Sequence, residues 1–313
     1  MHLPGLHHVT AVTGDAQKNI DFYGGALGLR LVKITVNFDD PCSYHLYYGD
    51  EAGRPGTLVT FFVWNGCPRG HAHAPQITRV GLALPAAALS YWQDRLQALD
   101  VPFESAHSPF GQAVLRCQDP DGLKLDLVAV DDPGGQPPQG GPVPADSALR
   151  GLYNVTIAEL QTEATADLLS HVMRWQPAGQ AGALTRYRAP DGPLAAQLDL
   201  ELTPNAEPAR MGAGSVHHVA FRVADAEQQT ACRAALSAEG LHVSPAMDRC
   251  YFRSIYFHEP GGVLFEIATD GPGFTADEAA DALGRRLQLP PWMESDRHAL
   301  EHALPPLELP APW

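Results

Sequence analysis

Positive charge is scarce in this chain: 21 Lys and Arg stand against 36 Asp and Glu, a formal net charge of −15. A surface that acidic has no general attraction for phosphate backbones or anionic lipid, so neither nucleic acid nor a membrane surface is an expected partner. No apolar run reaches the roughly 18 residues of a membrane-spanning helix. Residues 1–5 carry no basic stretch leading into an apolar one, so no secretory leader is expected. The five cysteines, Cys42, Cys67, Cys117, Cys232 and Cys250, are scattered and form no CxxC pair. That argues against a disulfide framework and a thiolate zinc site, and suits free thiols in a reducing cytoplasm.

Histidine is what the chain has in quantity. There are fourteen, four of them in two adjacent pairs, His7-His8 and His217-His218. The rest of the composition, 45% hydrophobic and 18% charged over 313 residues, is that of a globular protein of about two domains. Residues 131–142, rich in Gly and Pro, read as a linker between two halves. Shorter polar gaps at 65–75 and 203–214 divide each half.

The segments between the gaps resemble one another. Leu6-His7-His8-Val9 and Val216-His217-His218-Val219 open strand-like runs, each followed by Asp-Ala and a helical stretch. Gly28 and Gly240 stand where those helices end, positions that favour positive φ. Asp119-Pro120-Asp121-Gly122 and Glu259-Pro260-Gly261-Gly262 are matching turns before a closing strand. The expected fold is α+β: four βαβββ modules forming two cup-shaped, partly open mixed β-sheet barrels with helices outside. An N-terminal domain (1–130) would hold modules 5–64 and 77–130, and residues 131–149 the linker. A C-terminal domain (150–270) would hold modules 150–203 and 215–269, and a tail (271–313) would pack on the fold.

Strand alternation selects the site. His217, Val219, Phe221 and Val223 share the apolar face, which leaves His218 with Ala220 and Arg222 on the other. In the closing strand the same count separates Glu266 from Val263, Phe265 and Ile267. His8 falls in the repeat-equivalent place. A set of His8, His218 and Glu266 is the two-His-one-carboxylate arrangement of non-haem Fe(II) oxygenases, with coordination positions left for substrate and O2. The equivalent positions in the central modules are Arg79 and Asn154, with Asp126 and Asp199, and bear no histidine. The first module must therefore face the fourth.

At this point the chain resembles the vicinal oxygen chelate (glyoxalase/bleomycin resistance/extradiol dioxygenase) superfamily, and more narrowly its hydroquinone-type ring-cleaving dioxygenases. The resemblance runs through Leu6-His7-His8-Val9-Thr10, Tyr44-His45-Leu46-Tyr47-Tyr48, Pro55-Gly56-Thr57, His217-His218-Val219-Ala220-Phe221, Asp248-Arg249, and Tyr251 to Phe257. It continues through residues 259–266, Gly273-Phe274 and Leu289-Pro290-Pro291-Trp292-Met293-Glu294. It implies metal ligation by His8, His218 and Glu266, and supporting catalytic roles for Tyr256, Arg249, Thr10, His7 and His217. Alternation disagrees for His7 and His217, which it puts on the helix side unless a bulge re-aims them.

The function implied is an Fe(II)-dependent ring-cleaving dioxygenase, with Mn(II) accepting the same donors. It would act in the cytoplasm on a small dihydroxylated aromatic and O2, without an organic cofactor. Oligomeric state is open, a homo-oligomer included. Two rivals stay open: a glyoxalase-like lyase or isomerase, which needs a fourth protein ligand, and a non-redox binding or resistance protein. Tyr44, Tyr47, Tyr48, Phe61, Phe62 and Trp64 read as core strand residues, and His71 and His73 as an exposed loop pair. In the tail, Thr275 and Glu278 form a capping-box pattern for a helix to Leu283, ended by Gly284. A second helix is expected over 294–303, then a proline-rich end at 305–313.

Overall fold

The computed structural model describes residues 1–190, 192 and 195–309. Each module has its expected order. The first is β1 (Leu6–Thr13), α1 (Ala16–Ile20), β2 (Arg30–Asn37), β3 (Asp40–Gly49) and β4 (Leu58–Val63). The second is β5 (Gln76–Pro85), α2 (Leu89–Ala98), β6 (Phe103–His107), β7 (Ala113–Gln118) and β8 (Lys124–Val130). The third is β9 (Gly151–Glu159), α3 (Glu163–Asp167), β10 (Gln176–Ala181), β11 (Leu184–Arg188) and β12 (Gln197–Leu202). The fourth is β13 (Val216–Val223), α4 (Ala226–Ala238), β14 (Met247–Asp248), β15 (Arg253–His258) and β16 (Leu264–Thr269).

Local chemistry accounts for the helices. The Asp-Ala repeats are N-caps: the Asp15 carboxylate accepts from the Lys18 N–H at 3.1 Å, and Asp225 from Gln228 at 2.9 Å. Helix α1 continues as a π-helical stretch, Asp21–Ala26, and α3 as Leu168–Val172. Gly28 (φ +67°) and Gly240 (φ +83°) then turn the chain back, as expected of residues without a Cβ.

The sheets cut across the two halves of the sequence. One eight-stranded sheet runs β14-β15-β16-β13-β1-β4-β3-β2, and the other β10-β11-β12-β9-β5-β8-β7-β6. Modules one and four therefore share a sheet, joined by the antiparallel β1–β13 seam, and modules two and three share the other. The 1–130 and 150–270 division follows the chain, not the sheets. The gaps at 65–75 and 203–214 lie side by side, bridged at Arg69–Ala213, His71–Arg210 and Ala74–Pro208.

Alternation sorts the side chains of the first sheet. Val219, Phe221, Phe265 and Ile267 join the main core on the helix side. Ala220, Ala268, Val32, Tyr47 and Leu58 form a smaller apolar cluster on the other face, with Tyr251, Phe252, Phe274 and Leu283. The last two belong to the tail.

The tail departs from its expected form. In place of a helix over 275–283 there are two 3-10 turns, Phe274–Ala276 and Ala280–Ala282. The buried Lys33 ammonium is the reason. It takes the carboxylates of Asp277 (2.6 Å) and Glu278, which draws Glu278 away from a capping box. Gly284 is left-handed as expected (φ +71°). A 3-10 stretch, Pro291–Asp296, leads into α5 (Arg297–Ala303), which buries Leu300 with Leu304 beyond it. Trp292 is 52% exposed and meets the Phe38 ring edge-on. Residues 310–313 of the proline-rich end lie outside the described residues.

Candidate metal centre

His8 stands on β1, His218 on β13 and Glu266 on β16, all buried. The strand pairing brings them together: His8 faces Ala220, which neighbours Glu266 on its other side, and His218 faces Thr10. His8 Nε2 and His218 Nε2 lie 3.3 Å apart, and Glu266 Oε2 lies 3.4 Å from the first and 2.9 Å from the second. Donors at about 2.1 Å on one octahedral face stand about 3 Å from one another. The triangle has that size. Among the described residues it is the one group of three His, Cys, Asp or Glu donors this close together.

Glu266 divides its oxygens. Oε1 accepts the Ser254 hydroxyl at 2.5 Å, which fixes the carboxylate plane. Oε2 is buried and receives no well-directed hydrogen bond, although both imidazoles are near. A buried anionic oxygen without a donor is costly unless a cation takes it. Burial alone would raise the Glu266 pKa, but His8 and His218 outweigh it and hold the carboxyl well below its usual range.

Bulges turn His7 and His217 toward the site. Leu6 pairs with Phe221 and His8 with Ala220, so His7 is an extra residue in β1. Thr10 pairs with His218 and Ala11 with Val216, so His217 is extra in β13. This overturns the helix-side placement that strict alternation gives, because a bulge interrupts alternation where it occurs. His7 Nδ1 lies 2.9 Å from His8 Nδ1, and His217 Nδ1 lies 2.8 Å from His218 Nδ1. Each pair thus leaves the Nε2 of its second histidine facing Glu266. Burial, then the neighbouring His8, holds His7 well below the ordinary imidazole range. Burial and His218 lower His217 to about 3. Both are neutral at physiological pH and able to accept a proton-bearing Nδ1–H.

The other expected residues lie around this centre. Tyr256 pairs with Glu266, and its ring packs 5.8 Å from His218. Arg249 Nε donates to the Tyr256 hydroxyl at 3.2 Å, and Arg249 Nη2 donates to Asp39 at 3.0 Å. Burial, with the Glu266 charge, pushes the Tyr256 phenol well up, so it keeps its proton. The Thr10 hydroxyl bonds to Thr60 at 2.8 Å rather than to the triangle.

Several contributors escaped the sequence reading. His45 Nε2 bonds to Thr60 at 2.9 Å, and His45 Nδ1 to the Tyr47 hydroxyl at 2.8 Å, giving a row Tyr47–His45–Thr60–Thr10 along the wall. Burial, then His8 and His218, keeps His45 neutral. Of the aromatics read as core, Tyr44, Tyr48 and Phe61 are in the main core and Tyr47 in the smaller cluster, and Tyr47 and Phe62 also line the site beside Phe252. The cavity is about 30 Å³, and its lining includes Asn37 at the end of β2 with Phe38 and Asp39 of the β2–β3 turn. His71 is exposed beside Arg210, and all five cysteines are free.

Comparison with known proteins shows the family of the chain. The family model described as "Glyoxalase/Bleomycin resistance protein/Dioxygenase superfamily" matches residues 5–127 and 163–267. The "Putative ring-cleaving dioxygenase MhqO" of Bacillus subtilis (strain 168) is 42% identical over 305 residues, 97% of either chain. The "Chlorohydroquinone/hydroquinone 1,2-dioxygenase" of Sphingobium indicum is 37% identical over 313 residues, 96% of this chain and 97% of that protein. The crystal structure of a "putative dioxygenase" from Bacillus subtilis matches with a TM-score of 0.95 at 42% identity over 99% of both chains. Glyoxalase I from Zea mays shares the fold, with a TM-score of 0.64 at 14% identity over 85% of this chain and 92% of that one.

Proposed function

Because the chain belongs to the glyoxalase/bleomycin resistance protein/dioxygenase superfamily, we propose that it is an Fe(II)-dependent, extradiol-type ring-cleaving dioxygenase of the cytoplasm. Its substrates would be O2 and a dihydroxylated aromatic of hydroquinone or catechol type. The triangle of His8 Nε2, His218 Nε2 and Glu266 Oε2 carries the reading. These three side chains would hold Fe(II), or Mn(II) with the same donors, which would supply open coordination and redox chemistry between the aromatic and O2.

The chain's own residues do the rest. His8 and His218 present Nε2 lone pairs only while Nδ1 keeps its proton, and the Nδ1 lone pairs of His7 and His217 accept hydrogen bonds from those N–H groups. Ser254 holds Glu266 so that one oxygen points into the triangle. Neutral His45, hydrogen-bonded through both ring nitrogens to Thr60 and Tyr47, lines the wall of the cavity and could take a substrate hydroxyl proton only by exchanging one of those bonds. The Tyr256 hydroxyl already accepts from Arg249, which frees its own O–H to donate to a developing oxyanion. The cavity beside these groups is small, about 30 Å³, and Asn37, Phe38 and Asp39 are among the residues that line it.

An isomerase of the glyoxalase type calls for a fourth protein donor. The place in β4 equivalent to Glu266 is Thr60, whose hydroxyl is engaged by Thr10 and His45. That favours the dioxygenase. Metal analysis with oxygen-uptake assays on hydroquinones and catechols tests it, and turnover of methylglyoxal with glutathione in the absence of O2 would favour the isomerase.

A further inference from the structure

The second sheet forms a cup of its own and repeats both bulges of the first. Ile77 pairs with Ile157 and Arg79 with Thr156, leaving Thr78 extra; Gly81 pairs with Asn154 and Leu82 with Leu152, leaving Tyr153 extra. Thr78 and Arg79 thus stand where the first sheet has His217 and His218, and Tyr153 and Asn154 where it has His7 and His8. Asp126 pairs with Gly81 as Glu266 pairs with Ala220.

The chemistry at these equivalent positions is different. Arg79 Nη1 donates to Asp126 at 2.7 Å, so a fixed guanidinium satisfies the carboxylate. Asn154 Nδ2 donates to Asp199 at 2.7 Å, and the Arg186 fork grips both Asp199 oxygens at 2.6 and 2.7 Å. The cup is large, about 440 Å³, within the span of about 300–1,000 Å³ of small-molecule sites.

We propose that this second cup binds a small aromatic monocarboxylate. Four cationic side chains, Arg79, Arg116, Lys124 and Arg186, face three carboxylates, Asp126, Asp199 and Glu201. One positive charge is left over, in a chain whose net charge is −15. Arg116 and Lys124 locate it. Asp126, already bonded to Arg79, lies 3.9 Å from the buried Arg116 Nε, and Arg116 Nη2 donates to the His107 carbonyl at 3.5 Å, which leaves Nη1 without a hydrogen bond among the described residues. Lys124 forms no ion pair among the described residues. A guanidinium with free donors suits a carboxylate. The walls formed by Val128, Ala158, Leu184 and the Tyr153 ring suit a planar apolar body. A dianion would meet three carboxylates against a single excess cation.

Calorimetric titration of benzoate into the full-length, metal-loaded protein tests this, with benzamide and phthalate as the neutral and dianionic comparisons. The expected result is saturable, equimolar benzoate binding, with both comparisons weaker by about tenfold. Arg116→Gln and Lys124→Ala, both at partly open positions that keep the fold, should each weaken benzoate about tenfold. His218→Ala, in the other cup, should leave it unchanged. Four results would each overturn the proposal: no saturable benzoate binding at millimolar concentrations, phthalate or benzamide binding as tightly, binding undiminished in Arg116→Gln, or binding lost in His218→Ala.

Discussion

His217 Nδ1 lies 2.8 Å from His218 Nδ1, because a bulge in β13 turns two consecutive side chains to one face of the sheet. The same pairing recurs between His7 and His8 at 2.9 Å. Each candidate ligand is thus oriented by its own preceding neighbour. Replacing that neighbour removes the acceptor that fixes the tautomer. His217→Ala and His7→Ala should each weaken metal affinity by about 10–100-fold. Competition with a chelator measures this, and affinities equal to wild type would show that the pairs do not orient the ligands.

The Lys33 ammonium is fully buried and joins β2 to the tail through Asp277 and Glu278. It also lies 4.7 Å above the Tyr251 ring, whose hydroxyl donates to Asp277 at 2.9 Å. Lys33→Met strands the buried Glu278 carboxylate and should cost about 3–5 kcal/mol of stability. Adding Glu278→Leu should recover much of that loss. Denaturant unfolding of both variants reads the difference, and a single variant as stable as wild type would refute the clamp.

Farther along, the tail pairs with β2 through Gln288 N–H to Ile34 O at 2.8 Å, and the Tyr44 hydroxyl donates to Pro305 O at 2.9 Å. Deleting residues 286–313 should lower Tm and metal retention together. A truncated chain with unchanged Tm and unchanged metal content would assign the tail another role.

A pH effect is built in at the junction of modules three and four. Glu159 and Glu259 are both buried, and the Thr165 hydroxyl bonds to each. Burial, then the Glu259 charge, raises Glu159 to about 8. The folded state favours the protonated acid, so its stabilising contribution is complete below about 4.5 and is lost as pH rises through about 8. Glu159→Gln removes that titration. Its Tm should fall less than that of wild type between pH 6 and pH 9, and parallel Tm profiles would contradict the assignment.

Much of this was legible in the sequence because the repeat and the two-residue strand period act together. They place His8, His218 and Glu266 on one side of their strands and require module one to meet module four. The bulges were not legible, since an inserted residue leaves no local mark in a run such as Leu6-His7-His8-Val9. Ser254 was within reach, two residues before Tyr256 on the same face of β15. His45 and Thr60 depend on the register between β3 and β4, which only the folded sheet fixes. The tail helix failed for a different reason. Its capping-box pattern is local, and a buried lysine distant in sequence outbids it for Glu278.

The central claim is that His8, His218 and Glu266 together hold an iron that lets O2 open an aromatic ring. The direct measurement is oxygen consumption by Fe(II)-reconstituted protein over a panel of hydroquinones and catechols, run beside the metal-free protein and His218→Ala. The account predicts O2 uptake equimolar with ring-opened product, dependent on added Fe(II), and reduced to background in His218→Ala. Protein loaded with stoichiometric iron that consumes no O2 across the panel, or a His218→Ala variant as active as wild type, would contradict it.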